Sequence, residues 1–246
     1  MPAAAAVVVA VGATMYWHSA QQPGYTVSGV AQTVATAAGQ RDSVRLADGT
    51  RVLLAPESQL TVAAGYGDGK RDVELRGEAY FDVQHDEARP FTVRAGSATI
   101  RDLGTTFTVR TSGEPGVRVV VTSGIVSIAR TAAQSDTVVL RPGEIGTISD
   151  AGAQRQPDAI AESDTAWTRG HLVFREAPVS TVSAELRRWY GIDIRIDSSF
   201  SSRHLTMTVE GDSIDRVLET LALSLGAEVE RQGNTAVIKP IPARSR

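Results

Sequence analysis

The chain has 246 residues, 42% of them apolar, which suffices for one large domain or two small ones with a substantial core. Its 25 Lys and Arg against 28 Asp and Glu give a net charge of −3, a balance that offers no electrostatic grip on nucleic acid, so no direct nucleic-acid partner is expected. The absence of cysteine excludes disulfides, thiol nucleophiles and zinc–thiolate sites and leaves the redox compartment open.

The first 20 residues carry no Lys, Arg, Asp or Glu; the first such side chain is Arg41. The apolar run from Pro2 to Trp17 is shorter than the roughly 20 residues of a full membrane span. Tyr16 and Trp17 close it as an interfacial aromatic belt would. Three readings fit: a membrane span or its C-terminal part over residues 1–20, a signal peptide without its usual basic start, and a buried helix. The first two place the rest of the chain outside the cytoplasm.

Residues 25–149 read as short strands separated by turns. In SVRLADGTRVLL, Val44 and Leu46 alternate, Asp48-Gly49 supplies a turn, and Val52 resumes the pattern, a hairpin signature. GYGDGK at 65–70 is the next turn. RDVELRGEAYFDV alternates through Val73 and Leu75, breaks at Gly77, and resumes at Ala79, Phe81 and Val83. Further short strands follow to Ser149. Turn signals every 8–12 residues or so predict a mainly β domain of stacked antiparallel sheets, sandwich- or solenoid-like.

Residues 150–166 are polar and rich in Ala, and read as a linker. From Trp167 to 241 the pattern changes. Val179, Val182, Leu186 and Trp189 recur at helical spacing, with Pro178 in the first turn and Gly191 just past the end. A second helix carries Ile214, Val217, Leu218, Leu221 and Leu225 inward, with Asp212 as its expected N-cap and Gly226 as its stop. Short strands flank both. The order β-α-β-β-α-β-β predicts a small α+β domain with both helices on one face of one sheet.

The segments LADGTRVLLAPESQL, RGEAYFDVQHDEARPFTVRAGSATIRDLGTTFTVR, SGIVSIA and LRPGEIGTI together resemble the FecR family of cell-surface signalling regulators, over about residues 43–149. GHLVFREAPVSTVSAELRRWYGIDI and GDSIDRVLETLA are similar to the secretin/TonB N-terminal (STN-like) domain. The resemblance implies a single-pass inner-membrane protein of a Gram-negative bacterium with its bulk in the periplasm. It implies two partners: the signalling domain of a TonB-dependent outer-membrane transporter, often one for ferric siderophores, and an extracytoplasmic-function sigma factor. The cytoplasmic segment that would bind the sigma factor has no counterpart in the sequence, which fits a late start or a fragment.

No enzyme motif competes with this reading. His18, His85, His171 and His204 are scattered without metal-ligand spacing, and no nucleophile elbow is present. GYGDGK lacks Walker spacing and reads as a turn. Glu74, Glu78 and Asp82 read as solvent-facing charges alternating with a core rather than a glycosidase pair. No metal or cofactor is expected. A carbohydrate- or cell-wall-binding β protein is the alternative, although aromatics are only 5% and many occupy core positions.

Gly104-Thr105, inside RDLGTTFTVR, is the candidate reactive position. Regular alternation would turn Leu103, Thr105, Phe107 and Val109 to the core, so the Thr105 hydroxyl needs a partner there. One reading is a β-bulge glycine beside a hydrogen-bonded threonine. The other is a threonine that attacks the Gly104 carbonyl and cuts the chain, as the resemblance implies for some family members. Leu205–Val209 and Thr235–Lys239 are the candidate sheet edges for docking a partner strand.

Overall fold

The computed structural model describes residues 25–27, 31–111, 116–158, 160 and 162–241. Residues 1–20, read as a membrane span or its end, lie outside the described residues. Among those described, no helix is long and apolar enough to cross a membrane.

The described residues between 25 and 156 form two sheets. One has the spatial order β1 (Tyr25–Val27), β3 (Asp42–Leu46), β4 (Arg51–Leu54), β7 (Glu78–Asp82), β10 (Thr106–Arg110), β11 (Val117–Ser123), β14 (Ile145–Ser149) and β15 (Gly152–Gln156). The other runs β13 (Ala133–Leu140), β12 (Val126–Arg130), β9 (Ala98–Asp102), β8 (Phe91–Ala95), β6 (Arg71–Arg76), β5 (Gln59–Val62) and β2 (Gln32–Ala35). The pairs are antiparallel except β1–β3 and β6–β8, which are parallel. Successive hairpins alternate between the sheets, so the sandwich is wound as a flattened coil. The sandwich and solenoid expectations describe two aspects of this one architecture.

The predicted hairpin forms, with Val44 opposite Val52. Inward residues of both sheets share one core, in which Phe81, Phe91 and Phe107 are fully buried. Phe81 stacks on Phe107 at 5.2 Å. Each such ring contributes about 1.5–3 kcal/mol by leaving water. Gly77 does more than interrupt a strand. At φ 88° it carries the chain from β6 in one sheet to β7 in the other, and a Cβ there would lie 2.5 Å from Ser58 Oγ. Glu74 therefore sits on a different sheet from Glu78 and Asp82.

A fully buried arginine anchors one end of the sandwich. Arg71 donates from Nε to Arg89 O (2.6 Å) and from Nη1 to Gln84 O (2.7 Å) and Asp48 Oδ2 (3.1 Å). Tyr66 also donates to Asp48 (3.0 Å), and burial and the Asp48 carboxylate hold its hydroxyl far above its usual range.

Part of the segment read as a linker is strand, because β15 pairs along β14. Its side chains are mostly exposed, so backbone pairing rather than an apolar pattern forms it. A short helix, α1 (Glu162–Thr165), and a 3-10 turn at Ala166–Arg169 lead into the second unit.

That unit has the predicted order: β16 (His171–Pro178), α2 (Val179–Tyr190), β17 (Asp193–Ile196), β18 (His204–Glu210), α3 (Ile214–Leu225), β19 (Ala227–Gln232) and β20 (Thr235–Pro240). Its strands make two small sheets rather than one, β16-β18 and β17-β20-β19. Pro178 stands at the N-cap of α2, one residue before the first turn, and Gly191 ends that helix at φ 66°. Ser213, not Asp212, caps α3 by accepting from Arg216 N. Asp212 instead accepts from Glu210 N (3.3 Å), at the end of the preceding strand.

Candidate functional site

Residues 103–105 form the turn that takes the chain from β9 in the seven-stranded sheet to β10 in the eight-stranded one. The Asp102 carboxylate, buried at the end of β9, accepts from Gly104 N (3.0 Å) and Thr105 N (3.2 Å). The segment 83–86 closes over the turn, with Asp86 N donating to Leu103 O (2.8 Å) and Val83 N to Thr105 O (2.9 Å). Arg71 binds the carbonyls of Gln84 and Asp86, on either side of His85.

His85 lies directly against Gly104. A Cβ on Gly104 would stand 2.5 Å from His85 Nδ1 and 2.6 Å from its Cα, and the φ of 149° disfavours any L side chain. Thr105 is clamped from the other side, because a Cβ on Gly124 would meet its Cγ2 at 2.2 Å. The Thr105 hydroxyl oxygen is buried without a hydrogen-bond partner.

Phe107 and Val109 turn inward as alternation predicts, and Thr105 is buried, but Leu103 is 43% exposed. The strand begins only at Thr106, so the period of two does not extend back across the turn. Gly104 is accordingly a turn residue and not a bulge. The register irregularity lies one step on: Thr106 faces Ser123 and Phe107 faces Val121, leaving Thr122 as the extra residue of β11.

The other end of β10 reaches the second unit. Leu53, Tyr80, Thr108 and Val120 form one cross-strand row on the outer face of the eight-stranded sheet. Leu53, Tyr80 and Ala55 pack against the core of the α+β unit. The next row, Glu78-Arg110-Arg118, carries the charges of the seam. Arg188 of α2 binds Glu78 Oε2 (2.8 Å) and donates to Pro56 O (3.0 Å), with Arg188 7% and Glu78 5% exposed. Glu185, one turn earlier on α2, binds both Arg110 and Arg188 and accepts from Trp189 Nε1 (3.2 Å).

Arg118 pairs with Asp164 (2.9 Å) and Arg187 with Glu57 (3.2 Å). Burial pulls the Arg110 guanidinium down, but the Glu78 and Glu185 carboxylates beside it outweigh that and raise it. Glu78 is thus not the solvent-facing charge that the alternation implies. It faces outward from its own sheet and is buried by the second unit. Nothing in the helical pattern of α2 marks Arg188 as buried, since its Glu78 partner lies 110 residues away in sequence.

Of the two candidate docking edges, Thr235–Lys239 is internal, because β20 lies between β17 and β19. Leu205–Val209 belongs to β18, which pairs with β16 alone among the described strands. Its Leu205, Met207 and Val209 face the core, while His204, Thr206, Thr208 and Glu210 are exposed.

Two family models match the chain: FecR protein over residues 32–127, and FecR, C-terminal, over residues 171–238. Two crystal structures of a protein proposed to be an anti-sigma factor, from Parabacteroides distasonis ATCC 8503, are similar in fold. The 1.65 Å structure has a TM-score of 0.71 at 27% identity, covering 86% of this chain and 100% of its own. The 2.50 Å structure has a TM-score of 0.72 at 26% identity, covering 87% and 100%. Among curated proteins none matches significantly.

Proposed function

Because the chain belongs to the FecR family, we propose that it is the signal-receiving part of a cell-surface signalling regulator acting by protein contact rather than turnover. Its upstream partner is the signalling domain of a TonB-dependent outer-membrane transporter, probed by the α+β unit. Its downstream partner is an extracytoplasmic-function sigma factor, and its setting is the periplasmic side of an inner-membrane anchor. Iron or siderophore uptake is the associated process. The observation that carries this reading is the pairing of both family matches with a likeness to a protein proposed to be an anti-sigma factor, over the whole of its crystallised chain.

The open edge of β18 is the proposed docking strand, since an unpaired strand edge offers backbone donors and acceptors to a partner strand. Calorimetry and amide hydrogen exchange with the isolated transporter signalling domain test it. Binding should protect amides within residues 204–210. Absence of binding overturns the partner, and protection confined to other strands overturns the edge.

The unpartnered Thr105 hydroxyl beside Gly104 favours a second property, self-cleavage. The Thr105 oxygen attacks the Gly104 carbonyl carbon, the C–N bond breaks, and the hydroxyl proton ends on the departing nitrogen. Water then hydrolyses the ester. Intact mass over days should reveal fragments ending at Gly104 and beginning at Thr105. Thr105→Ala should abolish the cut and Thr106→Ala should not; a single uncut species overturns the idea.

A further inference from the structure

The outer face of the seven-stranded sheet carries a groove of about 390 Å³ lined by Lys70, Asp72, Thr92, Arg94, Thr99 and Arg101, among others. It lies on the side of the sandwich away from the α+β unit, which covers the eight-stranded sheet. Its placement follows from strand register: Asp72, Thr92 and Arg101 form one cross-strand row, and Arg94 faces Thr99 in the next. Arg94 and Arg101 are therefore diagonal neighbours, about 7–8 Å apart at the backbone, within reach of one anion.

The charges in this groove do not balance. Asp72 approaches Arg94 at 3.7 Å, and Glu74 is engaged by Arg76 at 3.6 Å. Lys70 and Arg101 are exposed and make no ion pair among the described residues. A chain of net charge −3 thus concentrates three cations against one carboxylate here. Thr92 and Thr99, both buried, form the floor, and the Thr99 hydroxyl lies 3.1 Å from that of Thr131.

We propose that this groove binds a phosphorylated saccharide, with the phosphate between Arg94 and Arg101 and sugar hydroxyls on the threonine floor. Guanidinium forks suit phosphate oxygens, and threonine hydroxyls both donate to and accept from a sugar. Charge and hydroxyls replace the aromatic stacking that the composition does not provide. The proposal is independent of the signalling reading, because the groove and the seam lie on opposite faces.

Calorimetry of the full chain at low salt, with glucosamine 6-phosphate as probe, tests it. A Kd near or below about 1 mM is expected, and Arg101→Ala and Lys70→Ala should each weaken binding about tenfold. Their thermal midpoints should match the parent's. No heat at about 10 mM ligand overturns the proposal. So does unchanged binding by the variants, inorganic phosphate binding as tightly as the phosphosugar, or galacturonate doing so.

Discussion

Arg188→Ala should destabilise the protein by about 3–5 kcal/mol and loosen the two units from each other. The substitution removes the cation hydrogen-bonded to the buried Glu78 carboxylate, leaving only the neighbouring Arg110, and leaves Pro56 O with the Ser58 hydroxyl as its remaining donor. A buried carboxylate that loses its closest partner is costlier than the ion pair it came from, because Arg110 alone offsets less of its desolvation. Urea unfolding followed by tryptophan fluorescence should show a lower midpoint. Trp167 and Trp189, 6.1 Å apart in the second unit, report on that unit directly. A double variant, Arg188→Met with Glu78→Leu, should recover most of the loss, since it removes both charges. A single variant within about 1 kcal/mol of the parent would show that the seam pair is effectively solvated.

Arg71→Met should cost a similar 3–5 kcal/mol or so, for a related reason. The methionine fills much of the volume but leaves the carbonyls of Arg89, Gln84 and Asp86 without their donor. Asp48 keeps its bonds from Thr50 and Tyr66, so part of its charge remains compensated. Because Arg71 holds the carbonyls flanking His85, amide exchange across residues 83–86 should also accelerate. Denaturant midpoints and exchange rates measure both effects. Stability unchanged with exchange unchanged would mean that the segment is held by its bonds to Leu103, Thr105 and Thr50 without Arg71.

Much of the architecture is legible in local chemistry. Alternation at Val44, Val52, Val73, Leu75, Phe107 and Val109 marks core-facing strand positions, and all six are buried. The helices over Val179–Tyr190 and Ile214–Leu225 follow their apolar spacing and end at Gly191 and Gly226. Alternation misplaces Leu103 because a period of two does not survive a turn. It misses the strand Gly152–Gln156 because a polar edge strand has no apolar period.

Local sequence is enough to say where strands and helices form, which of their faces are apolar, and that Gly104-Thr105 sits at a break in a β pattern. These properties are set by side-chain period and turn chemistry within a few residues. Packing between distant segments is what buries Arg71 and Arg188, makes Glu78 the partner of Arg188 across the seam rather than a surface charge, and closes His85 over Gly104. Those outcomes depend on contacts between residues far apart in the chain, and a charged side chain carries no local sign of whether a distant partner will remove it from water.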